Sequence, residues 1–296
     1  MVDVIITSFK EPLTIGKAID SFIQQDIKEK YKIWVIAPDE PTLNVARRYS
    51  KKHKNIKVFK DSGKGKSFAL HEILPKLKSE IIVLSDGDVH VKTNCLKYLI
   101  EPFNDKKVGC VTGRPVSEES KKNIYGYWSH LLCDAGAHKA RLKRFRKKQF
   151  LECSGYFWAF RNHVIKRFPL DIPEDTVISY LFREKKYKIA YAPKAIVYVT
   201  FPKNLHEFIE QKKRTAKGHE APRKYVNMKK IPRTKSFKNE LLEGYRALFY
   251  PKNLIEIFYT LLLFPVRLYI WMLVFHHTRI KKKEYQDAWE RIESTK

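Results

Sequence analysis

Residues 80–88 read Glu-Ile-Ile-Val-Leu-Ser-Asp-Gly-Asp, an apolar, β-branched run that ends in two carboxylates, Asp86 and Asp88. Such a run predicts a strand buried in a sheet. In open α/β sheets, ligands bind just beyond the carboxyl ends of the strands. Carboxylates placed there suit a hard divalent cation such as Mg²⁺ or Mn²⁺, although Asp-Gly is also a common turn dipeptide. The neighbouring motifs must therefore distinguish a metal site from an ordinary turn.

The first 116 residues alternate apolar runs of this kind with segments that carry apolar residues at helical spacing. The predicted strands are Val2–Ser8, Lys32–Pro38, Ile56–Asp61, Glu80–Asp86 and Val108–Val116. The predicted helices are Pro12–Gln25, Thr42–His53, Lys66–Lys78 and Thr93–Phe103. This alternation predicts an α/β fold, with a mostly parallel, Rossmann-like sheet and helices on both of its faces.

The composition of the chain points to an anionic partner. With 296 residues, of which 44% are hydrophobic, the chain is long enough to bury a large core. It carries 59 basic and 32 acidic residues, which gives a formal net charge of +27. That excess favours contact with nucleic acid, phosphorylated substrates or an anionic membrane face. The sequence has no zinc-finger spacing and no ribonucleoprotein motif, so nucleic acid is an alternative without a motif to support it.

The cysteines do not predict a metal site. They are far apart and form no Cys-x-x-Cys pair: Cys95, Cys110, Cys133 and Cys153. In a chain without a signal-peptide pattern, we expect reduced thiols in a cytosolic compartment.

Two adjacent segments in the middle of the chain have unusual compositions. Residues Lys139–Lys148 are densely basic, which predicts a solvated helix face or one that lies on phosphate groups. Residues Phe150–Phe160 are strongly aromatic and predict a core strand. Ser154-Gly155 inside the aromatic segment predicts a close approach of the backbone to another group.

Residues 254–275 are the most apolar part of the chain and are long enough to cross a bilayer as a helix. We expect Pro265 to divide this stretch into two halves that are each too short to cross alone. Glu256, Thr260 and Arg267 fall on one helical face, because steps of four and seven residues return to the same side.

Basic residues flank the apolar stretch on both sides, from Lys235 to Lys252 before it and from Arg279 to Lys283 after it. Positive charge favours the cytoplasmic side of a membrane. We therefore predict a monotopic, re-entrant or single-span C-terminal anchor at the cytoplasmic face of the cell membrane. A buried helix of a soluble protein is the alternative.

Further motifs follow other predicted strands or open predicted helices. They are Thr7 to Glu11, Asp39, Gly65-Lys66, Glu174-Asp175, and Gln211 with Arg214. The Gly-Lys-Ser sequence at 65–67 resembles part of a P-loop. That motif needs a glycine five positions before Gly65, where this chain has Lys60, so a P-loop nucleotidase is disfavoured.

Taken in order, these motifs resemble those of family-2 glycosyltransferases with the GT-A fold, over about residues 2–218. The similarity is greatest to the branch that includes hyaluronan, cellulose and poly-N-acetylglucosamine synthases. The resemblance implies that Thr7 and Glu11 line the nucleotide pocket and that Asp39 contacts the base. It also implies that Lys66 belongs to the loop that holds the donor.

The same resemblance identifies Asp86-Gly87-Asp88 as a DxD motif, which implies that Asp88, helped by Asp86, holds Mg²⁺ or Mn²⁺. Glu174 and Asp175 match the end of a Thr-Glu-Asp motif, in which Glu174 contacts substrate and Asp175 is the catalytic base. Pro173 replaces the threonine of that motif. A carboxylate after a proline is also a favourable helix start, so capping is the alternative for Asp175.

Gln211 and Arg214 match a substrate-binding Gln-x-x-Arg-Trp motif, except that Thr215 stands in place of the tryptophan. In the polymerising synthases that tryptophan belongs to the acceptor site, so we expect transfer of one sugar or a few instead of processive synthesis. The expected acceptor is lipid-linked or a saccharide.

The sequence thus predicts an inverting hexosyltransferase that uses a nucleotide-sugar, with UDP the expected nucleotide and GDP the alternative. We expect a GT-A domain over residues 1–220 (nucleotide-sugar half 1–116, acceptor half 117–220) and a helical, basic, membrane-associating region over 221–296. The expected partners are the donor, the acceptor and an anionic membrane surface, but no nucleic acid. The alternatives are a sugar nucleotidyltransferase of related fold and a non-enzymatic basic protein that binds membranes or RNA.

Overall fold

A computed structural model of the chain describes residues 1–165, 169–219, 221–227, 231, 233–234, 236–280 and 294. The strands are β1 (Val2–Thr7), β2 (Tyr31–Ala37), β3 (Ile56–Lys60), β4 (Ile81–Asp86), β5 (His90–Val91), β6 (Val108–Ser117), β7 (Phe157–Arg161) and β8 (Lys188–Val199). The helices are α1 (Ile15–Ile23), α2 (Glu40–Lys52), α3 (Lys66–Ile73), α4 (Cys95–Ile100), α5 (Ile124–Leu131), α6 (Lys139–Arg146), α7 (Glu174–Glu184), α8 (Leu205–Gly218), α9 (Phe237–Gly244) and α10 (Leu254–Phe275).

The strands form one eight-stranded sheet in the order β3-β2-β1-β4-β7-β6-β8-β5. Strands β3, β2, β1 and β4 are all parallel, as the alternating pattern predicts. In this register Thr7 pairs with both Ile36 and Asp86, so β1, β2 and β4 end at the same edge of the sheet. The predicted α/β fold is confirmed, and its parallel half places the first three strand-end motifs side by side.

The other half of the sheet departs from simple alternation. Strand β7 runs antiparallel between β4 and β6, whereas β6 and β8 are parallel to each other. Short β5 closes the edge by pairing antiparallel with β8. Local patterns do not predict β5 or β8, and the aromatic segment forms a strand only at its C-terminal end, in β7. Strands from both proposed halves, 1–116 and 117–220, therefore share one sheet.

Alternate residues of the central strands bury opposite faces, because successive side chains of a strand point to opposite sides. On one face, Val4 and Ile6 of β1 pack in a cluster with Phe22 of α1. On the other face, Ile5 packs with Leu70 of α3. The residues of both clusters are buried, which explains why β4 is apolar from Ile81 to Leu84 instead of alternating.

The C-terminal helix α10 packs along α5 and α8 through its polar face. Tyr127 and Thr260 share a hydrogen bond of 2.6 Å, and Trp128 Nε1 donates to the carbonyl of Tyr259 at 2.7 Å. Farther along, Arg267 donates to both carboxylate oxygens of Glu240 on α9, at 2.5 and 2.6 Å. The polar face predicted for this helix therefore contacts the rest of the protein.

The expected division of the apolar stretch at Pro265 is wrong, because α10 continues through this residue as one helix of 22 residues. A proline inside a helix removes one hydrogen bond and crowds the preceding turn. Here Thr260 before it and Arg267 after it are both held by hydrogen bonds to other helices. These anchors hold the two turns in line and compensate for the lost bond.

The opposite face of α10 is apolar and exposed. The large side chains of α10 that are half or more exposed are Leu254, Ile255, Phe258, Leu261, Leu268, Tyr269, Met272 and Phe275. Within the described part of the chain, Leu254–Thr278 is the one helix long and apolar enough to cross a membrane, with a mean hydropathy of 1.9 and 22% of it buried. Of the predicted basic flanks, Lys235 and residues 281–283 lie outside the described residues.

Candidate active site

The first part of the site is the turn that joins the ends of β1 and β4. The backbone N–H of Gly87 donates to the carbonyl of Thr7 at 2.8 Å, and Thr7 Oγ1 lies 3.4 Å from Asp86 Oδ1. A Cβ atom on Gly87 would lie 2.4 Å from Ser8 Oγ and 2.6 Å from Glu11 Oε2. Only glycine fits between the two aspartates, so the turn brings the Thr7 to Glu11 motif against Asp86.

Lys66, at the start of α3, joins two of the predicted motifs. Its Nζ lies 2.6 Å from Asp86 Oδ1 and 2.8 Å from Glu174 Oε1. Burial opposes the positive charge, but the two carboxylates raise the pKa of Lys66 well above its ordinary value. Residues far apart in the sequence thus meet in one ion-pair network, which Asp86 extends to the end of β4 and Glu174 to the start of α7.

Three carboxylates crowd beside this network. Burial, followed by the negative charge of Asp88, raises the pKa of Glu11 to about 8. Burial, followed by the charge of Asp86, raises the pKa of Asp88 to about 7. Burial also raises the pKa of Asp86, although Lys66 opposes that effect. Crowded, partly desolvated carboxylates of this kind would be stabilised as anions by a bound cation.

This donor set fits a divalent cation that is shared with a substrate. Among the described residues, no three His, Cys, Asp or Glu side chains are grouped so that they could hold a metal ion by themselves. Mg²⁺ commonly takes only one or two protein carboxylates and completes its coordination with water and substrate phosphates. Asp88 and Asp86 supply carboxylate oxygens of that kind.

Asp39 caps the start of α2 and holds the neighbouring loop. Its Oδ2 accepts from the backbone N–H of Lys10 at 2.7 Å, and its Oδ1 accepts from the Thr42 hydroxyl at 2.7 Å. Burial by itself would raise the pKa of Asp39, but these hydrogen bonds outweigh that effect and lower the pKa below its ordinary value. The Thr42 hydroxyl oxygen in turn accepts from the N–H of Glu11 at 3.0 Å. Asp39 Oδ1 also accepts from the N–H of Thr42 at 3.1 Å, so Oδ2 is the oxygen that retains a lone pair with which it could accept from a ligand.

Asp175 lies at the start of α7, directly after the buried Glu174. Its Oδ1 accepts from the N–H of Thr176 at 2.8 Å. On the other side, a Cβ on Gly155 would lie 3.1 Å from Asp175 Oδ2. The close backbone approach predicted for Ser154-Gly155 is therefore confirmed, and the group approached is Asp175. The hydrogen bond from Thr176 N–H therefore holds the Asp175 carboxylate in place beside the backbone of Gly155.

Helix α8 carries both Gln211 and Arg214. Arg214 is close enough to Asp88 that its charge opposes the rise in the pKa of that carboxyl. Gln211 Oε1 is buried and has no hydrogen-bond partner within the described part of the chain. Thr215, which replaces the expected tryptophan, is exposed and donates back to the carbonyl of Gln211 at 2.9 Å.

Tyr156 lies in the aromatic segment that the sequence predicts only as a core strand, but it is also close to the site. Burial, followed by nearby negative charges that include Asp88 and Asp86, raises the pKa of its hydroxyl above the ordinary range. Its carbonyl accepts from Ser85 Oγ at 3.3 Å. The signal in the sequence was its position directly after Ser154-Gly155.

Comparison with known proteins gives a family match. The family model described as "Glycosyltransferase like family 2" matches residues 2–218. A beta-monoglucosyldiacylglycerol synthase of Nostoc sp. is 26% identical over 130 residues, which are 42% of this chain and 28% of that protein. A poly-beta-1,6-N-acetyl-D-glucosamine synthase of Staphylococcus epidermidis is 24% identical over 231 residues, 72% of this chain and 53% of that protein. The chain thus spans about half or less of the length of these relatives.

A mannosyltransferase from Pyrobaculum calidifontis, solved in complex with GDP-Man and Mn²⁺, has a similar fold. The TM-score is 0.67 at 18% sequence identity, over 96% of this chain and 88% of that one. The similarity confirms the GT-A fold that the motifs predict.

Proposed function

The chain belongs to the glycosyltransferase-like family 2, and we propose that it transfers a sugar from a nucleotide-sugar to a hydroxyl of a membrane-associated or saccharide acceptor, with inversion at the anomeric carbon. The observation that carries this proposal is the network in which Lys66 lies between Asp86 and Glu174. It joins the predicted donor motif to the residue that precedes the predicted base. The donor diphosphate and the acceptor hydroxyl would then bind next to each other.

On the donor side, Asp88 and Asp86 would hold Mg²⁺ or Mn²⁺ together with the donor diphosphate. Such a cation, when bound, neutralises charge on the leaving diphosphate. Lys66 and Arg214 would add positive charge to the same oxygens. The crowding of Glu11, Asp86 and Asp88 supports this arrangement, because burial and their mutual repulsion raise their pKa values and a bound cation would offset that repulsion.

Thr7, Glu11 and Asp39 would form the nucleotide pocket, with UDP as the proposed nucleotide and GDP as the alternative. The hydrogen bonds from Lys10 N–H and Thr42 to Asp39 support this role, since they fix a carboxylate beside the loop that starts at Thr7. Gln211 would bind the substrate through its buried amide oxygen.

On the acceptor side, Asp175 would take the proton from the acceptor hydroxyl as that oxygen attacks the anomeric carbon. The position of Asp175 supports this role, because Thr176 N–H holds the carboxylate at the start of α7, beside the backbone of Gly155 and next to Glu174. General-base assistance is typically worth about 10²–10⁴-fold in rate. Glu174, paired with Lys66, would set the position of this helix start.

We further propose that residues 1–220 form the catalytic unit and that 221–296 associate with the cytoplasmic face of a membrane. The exposed apolar face of α10 and the net charge of +27 support this placement. A nucleotidyltransferase would account for the carboxylates but not for the exposed apolar helix.

The test is release of nucleoside diphosphate from purified full-length protein that is given a panel of UDP- and GDP-sugars with Mn²⁺ or Mg²⁺. We expect metal-dependent release with one donor, abolished in Asp88→Asn. The matched control is Asp105→Asn, at an exposed acid that pairs with Lys188, which should keep full activity. Release of pyrophosphate from a nucleoside triphosphate and a sugar phosphate, with no turnover of any nucleotide-sugar, would favour the nucleotidyltransferase instead.

A further inference from the structure

A cavity of about 760 Å³ lies between the catalytic fold and the C-terminal helices. Its walls come from the π-helical segment Leu132–His138, from α6, α8, α9 and α10, and from the segment 151–156. Its volume is within the range of pockets that hold small molecules, about 300–1,000 Å³. The lining of this cavity includes none of Lys66, Glu11, Asp86 and Asp88, so it is distinct from the donor part of the site.

Arg141 is the residue of this cavity that indicates a bound ligand. Its side chain lines the cavity although the residue is only 8% exposed. Its Nε donates to the carbonyl of Glu152 at 3.3 Å, but its buried Nη1 has no hydrogen-bond partner within the described part of the chain. A buried guanidinium needs an anionic partner, because an unpaired charge in the interior is costly.

The carboxylates on the cavity wall already have partners. Glu240 pairs with Arg267 at 2.5 Å and Glu243 with Arg246 at 3.6 Å. Glu152 Oε1 accepts hydrogen bonds from the hydroxyls of Tyr180 and Thr234, and its Oε2 lies 3.1 Å from His219 Nδ1. Arg144 also lines the cavity and donates only to the carbonyl of Phe150, at 3.4 Å, among the described residues. Arg141 and Arg144 therefore leave positive charge on the wall that α6 contributes.

The far wall of the cavity is apolar and reaches the exposed surface of α10. Phe264, Leu268 and Trp271 line it, and the first two are 40% and 51% exposed. They belong to the same helix whose outer face would meet a membrane. A ligand that satisfies both walls must have an anionic head and an apolar chain.

The charged wall lies close to the predicted base. The segment 151–156 contacts Arg141 through the carbonyl of Glu152 and approaches Asp175 through Gly155. Three residues of chain span at most about 10 Å. Arg141 and Asp175 therefore lie against the same short segment, and a headgroup held by Arg141 would extend along this segment towards Asp175.

We propose that this cavity binds a phosphate-bearing membrane lipid with a free hydroxyl on its headgroup, and that this lipid is the sugar acceptor. The phosphate would pair with Arg141 and Arg144, and the chains would lie against α10. The headgroup oxygen would form the new bond to the anomeric carbon as the bond from that carbon to the diphosphate breaks. The hydroxyl proton goes to Asp175 and the electron pair leaves with the nucleoside diphosphate. The acceptor role rests on the proposed function.

The test measures binding by calorimetry with dihexanoyl-phosphatidylglycerol, used below the concentration at which it forms micelles so that no membrane surface is present. Inorganic phosphate and dihexanoylglycerol are the comparison ligands. We expect Arg141→Gln to weaken lipid binding about 10- to 100-fold, the loss of one charge-assisted hydrogen bond. Arg141→Lys should retain part of the affinity, and Lys143→Gln, at an exposed position on the same helix, should retain all of it.

A second variant acts on the volume of the cavity instead of its charge. Gly136 lines the cavity, and a Cβ on it would meet only Leu132 Cδ2, at 4.0 Å, so Gly136→Leu would extend a side chain into the cavity. It should weaken lipid binding, while release of nucleoside diphosphate by transfer of the sugar to water, measured without lipid, continues. Unchanged affinity in both Arg141→Gln and Gly136→Leu would overturn the proposal, as would equal affinity for inorganic phosphate or for dihexanoylglycerol.

The acceptor role is tested separately by transfer of labelled sugar. We expect label on phosphatidylglycerol and loss of that label in Arg141→Gln. Binding that depends on Arg141, together with transfer only to other acceptors, would overturn the acceptor role. Absence of turnover with every donor and acceptor would count against the proposed function. The calorimetric measurements would still decide, independently, whether the cavity binds the lipid.

Discussion

Replacing Lys66 by glutamine tests whether the ion-pair network organises the site. The substitution removes the positive charge that lies 2.6 Å from Asp86 and 2.8 Å from Glu174. It leaves two carboxylates facing each other, with exposed fractions of 27% and 6%. Neither carboxylate has enough water contact to compensate fully for the lost partner.

Removing one member of a buried ion pair costs about 3–5 kcal/mol. Because Asp86 is 27% exposed, we expect the lower end, about 3 kcal/mol at pH 7. Lys60 forms a similar pair with Glu40 at 2.8 Å, but their exposed fractions are 58% and 49%. Lys60→Gln, the matched control, should therefore cost only about 0–1 kcal/mol.

The loss of unfolding free energy in Lys66→Gln should also depend on pH. In the variant, the pKa of Asp86, already raised by burial, should rise further above its unfolded value. A group with a raised folded pKa is protonated more readily in the folded state, so the variant gains stability as the pH falls. The pKa of Lys66 in the unmodified protein is raised above 10.5, so its contribution stays constant between pH 5 and 8. The difference between the two proteins should therefore narrow towards pH 5.

Urea denaturation of both variants at pH 5, 6, 7 and 8 measures these differences. A cost below about 1 kcal/mol at pH 7, equal to that of an exposed pair, would refute the reasoning. So would a cost that stays constant with pH, since the remaining carboxylates would then not be crowded.

Three further outcomes follow from the site and from α10. Asp175→Asn should keep nucleotide-sugar binding by calorimetry and lose about 10²–10⁴-fold in transfer rate; retained turnover would rule out its role as base. Gly87→Ala should weaken Mn²⁺-dependent donor binding, because the new Cβ would lie 2.4 Å from Ser8 Oγ; unchanged binding would show that the turn does not position the carboxylates. Burial opposes the charge of Glu240, but hydrogen bonds from Arg267 lower its pKa below 4.5, so the stability lost in Glu240→Gln should be full above pH 4.5 and shrink as the pH falls further. Thermal unfolding of that variant across pH 3–7 measures this loss, and a loss that grows as the pH falls would contradict it.

Much of the parallel half of the sheet, and of the site at its edge, could be predicted from local sequence. The apolar run before Asp86 predicts a buried strand because burial on both faces requires continuous apolar residues. Gly87 and Gly155 mark two close approaches, since a side chain at either position would meet Glu11 or Asp175. These features depend on a few consecutive residues and are therefore visible in the sequence.

The insertion of β7 between β4 and β6 could not be predicted in this way. Strand pairing between distant segments is set by chain reversal and packing, which leave no local periodicity. The continuity of α10 through Pro265 also depends on distant segments, because Thr260 shares a hydrogen bond with Tyr127 and Arg267 donates to Glu240.

The sequence by itself determined the parallel half of the sheet, the order of the motifs and the apolar character of α10. Only the tertiary structure decided that Lys66 would be enclosed by Asp86 and Glu174, and that Arg141, in a segment that reads as a solvated basic helix face, would be buried beside a cavity. The physical reason is that side-chain periodicity encodes which face of an element is buried. The partners that an element meets there depend on packing between segments far apart in the chain.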